Sequence, residues 1–111
     1  MPHSELARQL KAIGDPTRLR ILVLLPRTKT CQGGYNVSQL ADELGVPQPT
    51  VSHHLKILFQ ADLIRCEKMC RDAYYWINEP AVEEVCEAFR AICQCDPAQG
   101  AAANSHRPGA V

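Results

Sequence analysis

The chain has 111 residues, 46% of them hydrophobic, which suits one small domain with a single core. Its 12 basic and 12 acidic side chains cancel, so the net charge does not point to nucleic acid, and a basic surface requires uneven placement. The apolar run at residues 21–25 is far too short to cross a membrane, and no signal peptide is visible. We therefore expect a cytoplasmic protein with no membrane partner.

Two helices are predicted at the start of the chain. The first is capped by Ser4 and stops at Gly14. The second begins at Asp15-Pro16, where an acceptor side chain precedes a proline whose missing N–H costs nothing in a first turn, and it runs to about Leu25. The apolar stripe of the first helix consists of Leu6, Leu10 and Ile13.

A loop over residues 26–36, broken at Gly33-Gly34, leads to two short helices joined by a tight turn. The first of these ends at Gly45, and the second runs from about Gln48 to Gln60. The second helix is apolar on one side and polar on the other. That pattern is typical of a helix that packs on one face and offers hydrogen bonds to base edges and phosphates on the other.

A β-hairpin is predicted from Leu63 to Ile77, after Asp62 takes a left-handed conformation at the end of the preceding helix. Its second arm is rich in strand-forming residues. Its polar tip is predicted at about residues 68–72, which contain neither Gly nor Asn-Gly, so the turn type stays open.

The last helix is expected to be capped by Asn78 and to fray near Cys95. Residues 96–111 have no periodic apolar face and are expected to form a disordered tail behind a domain of residues 1–95. The apolar stripe of the last helix consists of Val82, Val85, Cys86, Phe89, Ile92 and Cys93.

This order of elements is a winged-helix layout, and three segments carry a closer likeness: AIGDPTRLRIL at 12–22, QPTVSHHLKIL at 48–58 and ADLIRCEKMCRDAYYWI at 61–77. Together they resemble the ArsR-type (arsenic repressor, metal- and redox-sensing) bacterial transcription regulators. The resemblance covers roughly residues 5–95. It implies a mainly α winged helix-turn-helix with a small β-hairpin wing, a homodimer through the first and last helices, operator binding, and release by an inducer. No set of enzyme residues is visible.

Seven polar residues are the candidates for DNA contact. Four near the start of the recognition helix suit base edges, Lys56 suits phosphate, and two arginines of the wing can reach the backbone or the minor groove. A plain solvated helix face is the alternative. We expect His53 to point outward and His54 to be partly buried and hydrogen bonded. The candidates are Gln48, Thr50, Ser52, His53, Lys56, Arg65 and Arg71.

The sequence departs from the family pattern in three ways. Pro47 stands where the family often has a serine cap, so the recognition helix is expected to start differently. The family's arsenite-binding Cys-x-Cys falls on Asn36 and Ser38 here, and its zinc site needs histidines that the last helix lacks. Any sensing chemistry therefore falls to the six cysteines, which in a reducing compartment suggest metal binding, redox sensing or burial rather than a disulfide framework.

The first candidate for the inducer site is Cys93 and Cys95, with Cys86. Near a fraying helix end, Cys93 and Cys95 can both turn toward one soft ion. Cys86 lies roughly 10 Å away by helical rise, so a partner subunit has to complete the set. Thiolates favour trivalent arsenic or antimony, which makes arsenite or antimonite the expected inducer, with no organic cofactor. Burial of Cys86 as a small apolar residue is the alternative.

The second-choice site is Cys31, Cys66 and Cys70. Four residues apart on a strand, Cys66 and Cys70 would lie about 13 Å apart, so we expect Cys31 to approach Cys66 instead. The basic neighbours Lys68 and Arg71 are expected to lower the pKa of Cys70 and favour its oxidation.

Three functions remain open from the sequence. The first is a repressor released by a thiophilic metalloid or metal, arsenite first. The second is a thiol redox-sensing repressor of the same fold. The third is a small protein-interaction module that does not bind DNA.

Overall fold

The computed structural model describes residues 1–94 of the chain, so the predicted tail and Cys95 lie outside the described residues. Its elements are α1 (His3–Ile13), α2 (Pro16–Leu24), α3 (Val37–Leu44), α4 (Gln48–Gln60), β1 (Ile64–Met69), β2 (Asp72–Ile77) and α5 (Glu79–Cys93). The predicted winged helix-turn-helix is confirmed: the fold is mainly α, with one antiparallel hairpin as the wing. Within these elements, no helix is long and apolar enough to cross a membrane.

The core lies where α1 to α4 meet the base of the wing. Its most buried side chains come from four successive elements and include Ile21, Leu40, Leu55, Leu58 and Ile64. Each fully buried aliphatic side chain contributes about 1.5–3 kcal/mol through removal of its surface from water. Leu6 of α1 is only 3% exposed and belongs to this core. Leu6 is therefore not available for the dimer contact that the resemblance implies for the first helix.

Three sequence-based predictions about helix ends are confirmed. The Asp15 carboxylate accepts hydrogen bonds from the backbone N–H groups of Thr17 and Arg18, at 2.9 and 3.1 Å. Gly45 ends α3 in the left-handed region, with φ 69°. Asp62 takes φ 64°, as predicted for the residue that turns the chain from α4 into the wing.

Two predicted caps are wrong. The helix α1 begins ahead of Ser4, because the N–H of Leu6 already bonds to the carbonyl of Pro2 at 3.0 Å. Asn78 does precede α5, but its side chain makes no cap hydrogen bond. Its amide instead donates to the carbonyl of Asp62 at 2.8 Å, which ties the start of α5 to the end of α4.

The two strands of the wing pair from Ile64↔Ile77 to Met69↔Asp72, so the turn contains only Cys70 and Arg71. The predicted five-residue tip is therefore too long. Both turn residues have positive φ, 52° and 77°, as a type I′ hairpin turn requires. Cross-strand pairing imposes this geometry although neither residue is Gly or Asn.

The loop of residues 26–36 lies along the second strand of the wing. The N–H of Ile77 donates to the carbonyl of Pro26 at 2.8 Å, and the N–H of Tyr75 donates to that of Tyr35 at 3.3 Å. Gly34, just before Tyr35, is buried. A Cβ atom added at this position would collide with the carbonyl oxygen of Thr30. The loop thus lies beside β2 and leads directly into α3.

Candidate functional site

The first helix of the helix-turn-helix starts at a reciprocal cap. The side-chain oxygen of Asn36 accepts from the N–H of Gln39 at 2.8 Å, and the Gln39 side chain accepts from the N–H of Asn36 at 2.9 Å. This capping box orients α3, against which α4 packs. The Asn-x-x-Gln spacing of Asn36 and Gln39 is the sequence signal for this cap, and it was missed because Asn36 was compared only with the cysteine of the family's arsenite site.

The recognition helix α4 buries one face and exposes the other. Val51, Leu55 and Leu58 are buried against the rest of the fold. All seven predicted DNA contacts are exposed, five on this helix and two on the wing: Gln48, Thr50, Ser52, His53, Lys56, Arg65 and Arg71. We call these seven residues the polar surface.

The cations of the polar surface are free to meet phosphate. Lys56, Arg65 and Arg71 take part in none of the ion pairs that residues 1–94 form. An exposed cation without an internal partner loses no existing contact when it binds an anion. The neutral net charge of the chain is therefore compatible with a locally basic surface.

The start of α4 needs no side-chain cap. Pro47 makes no cap hydrogen bond, as predicted, but its carbonyl accepts from the N–H groups of Thr50 and Val51 at 3.0 and 3.1 Å. Pro49 carries no N–H, so the first turn has one donor fewer to satisfy. The polar first turn can therefore stand exposed, as a surface that approaches a phosphate backbone must.

His53 is exposed and His54 is half-buried, as predicted. The predicted hydrogen bond of His54 is absent: its buried Nδ1 has no hydrogen-bond partner and lies 3.9 Å from Oδ2 of Asp15. The pKa of Asp15 is lowered, first by the hydrogen bond from the N–H of Arg18; burial opposes this shift and positive charge on His54 adds to it. His54 thus packs α4 onto the start of α2, and nothing marks it as a metal ligand.

The cysteines of the last helix lie on the surface of the single chain. Cys86 and Cys93 are both exposed on α5, so burial of Cys86 as a small apolar residue within one chain is wrong. Cys95 lies outside the described residues. Among residues 1–94, no three His, Cys, Asp or Glu side chains come together in a group that could hold a metal ion. A complete site on this helix would need Cys95 or a second chain.

The cysteines near the wing pair differently from the prediction. The thiol of Cys70 donates to the sulfur of Cys31 at 2.7 Å, so Cys31 meets Cys70 and not Cys66. The reason is the two-residue turn, which brings Cys70 beside the loop that carries Cys31. Cys66 lies opposite Tyr75 on the other strand. Burial raises the pKa of Tyr75 to about 12, and the charge of Cys66 and a hydrogen bond with it add to the shift.

The pKa of Cys70 is raised, which contradicts the expectation drawn from its basic neighbours. The hydrogen bond to Cys31 is the largest cause, followed by burial and by the negative charge that Cys31 carries when ionised. Lys68 and Arg71 are close in sequence, but both side chains are exposed to water, which screens their charge. Cys70 therefore holds its proton more tightly than a free thiol.

Comparison with known proteins places the chain in a family. The family described as "Bacterial regulatory protein, arsR family" matches residues 15–65, which hold α2, α3 and α4. The uncharacterised HTH-type transcriptional regulator MJ1325 of Methanocaldococcus jannaschii is 41% identical over 75% of this chain and 89% of its own. The arsenical resistance operon repressor of Bacillus subtilis is 39% identical over 78% of this chain and 88% of its own.

A solved structure agrees in fold. The homodimeric winged helix-turn-helix DNA-binding domain from Mycobacterium bovis superposes with a TM-score of 0.62 at 26% identity, over 82% of this chain and 81% of that one. Its description matches the helices and wing seen here. The chain therefore belongs to the arsR family of bacterial regulatory proteins and is a DNA-binding transcriptional repressor, not an enzyme.

Proposed function

We propose that residues 1–95 form a dimeric unit that binds operator DNA through the polar surface and releases it when a thiophilic inducer binds cysteine. The observation that carries the DNA-binding part is the exposed, unpaired state of Lys56, Arg65 and Arg71 beside the polar first turn of α4. Side chains near the start of a recognition helix read base edges in the major groove, and cations around them fix the register on phosphate. A repressor acts where the DNA is, which supports a cytoplasmic location.

The proposed dimer uses the first and last helices. Phe89 and Ile92 of α5 are each 50% exposed, which leaves a large apolar stripe uncovered on the single chain. Met1, just ahead of α1, is also exposed, and α1 packs beside α5. A symmetric dimer formed through this stripe would present two recognition helices, and helix-turn-helix dimers bind half-sites about 34–36 Å apart, one turn of DNA.

The proposed inducer is arsenite or antimonite, held by Cys93 and Cys95 with Cys86 of the second copy. Cys86 and Cys93 are both exposed on α5. The names of two relatives also support an arsenic compound as the inducer: each is an arsenical resistance operon repressor, one from Bacillus subtilis and one from Staphylococcus xylosus. Three thiolates suit a trivalent soft ion. Because Cys86 and Cys93 lie on the same helix as the proposed dimer stripe, binding there can favour a dimer geometry that does not fit DNA, with a coupling of about 1–3 kcal/mol.

The DNA-binding proposal is tested by selecting duplexes from a random library with the full chain. The enriched duplex is then titrated by fluorescence anisotropy at several salt concentrations. We expect Thr50→Ala to weaken binding to that duplex by about 1–3 kcal/mol while sparing unrelated DNA. We expect Lys56→Ala to weaken binding to all sequences and to reduce the salt slope by about 0.9.

The control for this test is Lys11→Ala, which removes an exposed cation of α1 that is not one of the seven residues of the polar surface and should change neither quantity. If no duplex is enriched, or if Lys11→Ala and Lys56→Ala behave alike, the proposed surface is wrong. The absence of any enriched duplex would favour a module that binds protein instead of DNA.

A second candidate function keeps the DNA-binding role and makes thiol oxidation the signal. The observation that favours it is the 2.7 Å separation of the Cys31 and Cys70 sulfurs. Release of DNA by peroxide, reversal by a thiol reductant and no response to arsenite would select this function over the first.

A further inference from the structure

The tip of the wing and the loop before α3 meet at two sulfur atoms. Cys70 is exposed in the turn of the wing, and Cys31 is half-buried in the loop. Their sulfurs are 2.7 Å apart, against about 2.05 Å in a disulfide. Two sulfurs that share one tetrahedral metal ion at about 2.3 Å each would be farther apart than this. The geometry suits a bond between the sulfurs better than an ion between them.

Neighbouring contacts hold the two segments together independently of the thiols. Lys29 of the loop forms an ion pair with Glu67 of β1 at 2.7 Å. The amide of Asn36 donates to the carboxylate of Asp72, next to the turn, at 3.3 Å. The thiols therefore meet inside an existing loop–wing contact, so their approach does not depend on the weak sulfur hydrogen bond alone.

We propose that Cys31 and Cys70 are a dithiol that a peroxide converts into an intramolecular disulfide, joining the wing tip to the loop before α3. This inference deepens the redox form of the proposed function by naming its thiols. Formation of the bond itself does not require that the protein bind DNA.

The chemistry balances with hydrogen peroxide as the oxidant. One thiol gives up its proton, and its thiolate attacks a peroxide oxygen; the O–O bond breaks, the displaced hydroxide takes up that proton to form water, and the sulfur becomes a sulfenic acid. The second thiol then attacks that sulfur, the S–O bond breaks, and its proton leaves with the hydroxyl as a second water. Two thiols lose two electrons in total, and one peroxide becomes two waters. Whichever sulfur reacts first, the other is already within reach.

The crosslink would enclose the DNA-reading part of the fold. Cys31 and Cys70 are 39 residues apart, and the chain between them contains α3, α4 and β1. Closing a loop of this length lowers the conformational entropy of the unfolded chain. The crosslink should therefore raise the melting temperature by roughly 10 °C. It would also fix the wing tip, with Arg71, relative to the cap of α3. Reduction would restore the freedom of the wing.

The sequence makes the bond simple to map. Trypsin cuts after Arg65, Lys68 and Arg71, so Cys66 and Cys70 fall on different peptides. The full chain carrying Cys86→Ser, Cys93→Ser and Cys95→Ser is reduced, treated with a small excess of hydrogen peroxide, blocked with iodoacetamide and digested. We expect one reducible species that joins peptide 30–56 to peptide 69–71, together with the higher melting temperature.

Matched variants decide the outcome. Cys66→Ser on the same background should form the same crosslink, whereas Cys70→Ser should form none and should show no peroxide-dependent rise in melting temperature. A link from peptide 30–56 to peptide 66–68, a link only between two chains, or persistent free thiols at Cys31 and Cys70 would each overturn the proposal. Because these readouts need no DNA, a failure here is separate from a failure of operator binding.

Discussion

Tyr75 and Cys66 face each other across the wing, and the phenol there titrates differently from one in water. Burial raises the pKa of Tyr75 to about 12 from an ordinary value of 10.0. Between these values the unfolded chain loses the phenol proton while the folded chain keeps it. Stability from this group is therefore complete below pH 10 and is lost as the pH rises through about 12.

This residue gives a prediction for alkaline solution. From pH 10 to 12 the free energy of unfolding should fall more steeply for the natural chain than for Tyr75→Phe, since the variant has no phenol at this position to ionise. Urea unfolding at stepped pH measures the difference. Equal slopes for the two proteins would show that Tyr75 is not buried against Cys66 as described.

At the scale of elements, the loop of residues 26–36 connects the wing to the helix-turn-helix. Asn36 serves both sides, since its oxygen caps α3 and its amide donates to Asp72 beside the wing turn. The pairing of Tyr35 with Tyr75 lies immediately before it. A change at the wing tip can therefore reach the first helix of the DNA-reading unit through one residue.

The double role of Asn36 is testable by two substitutions. Asn36→Ala removes both contacts and should destabilise the fold by about 1–2 kcal/mol. Asn36→Ser keeps a capping oxygen and loses the amide donor without placing a second carboxylate against Asp72, so it should cost less. Thermal unfolding measures both, and an equal loss for the two variants would contradict a capping role.

The elements were predictable from the sequence where the signal is local. The start of α2 at Asp15-Pro16, the end of α3 at Gly45 and the span of α4 each follow from neighbouring residues. The contact between Cys31 and Cys70 was not predictable, because it depends on a turn in which Cys70 has a positive φ. Such turns usually contain glycine or asparagine, and this one contains neither. The burial of Leu6 in the core of its own chain was also not predictable. An apolar stripe that packs within the chain has the same spacing as one that contacts a partner subunit.

At the scale of the whole molecule, the uncovered stripe of α5 decides how many copies act together. Ile92→Glu should weaken self-association at least tenfold, because it places a charge in the proposed apolar contact. Val23→Glu is the matched control: Val23 is 84% exposed, but it lies on α2, outside that contact. Sedimentation equilibrium should show a dimer for the control and a shift toward monomer for Ile92→Glu. Equal association of the two variants would place the dimer contact elsewhere.

We propose that DNA binding and inducer sensing use different parts of this molecule: α4 and the wing would contact DNA, and the cysteines of the C-terminal region would bind the inducer. Anisotropy of the selected duplex, bound by the natural chain or by Cys93→Ser/Cys95→Ser and titrated with arsenite under reducing conditions, tests this most directly. Cys31→Ser/Cys70→Ser is the control pair. We predict that arsenite releases DNA from the natural chain and from the control, while the C-terminal variant stays bound. Normal release from the C-terminal variant would contradict the account.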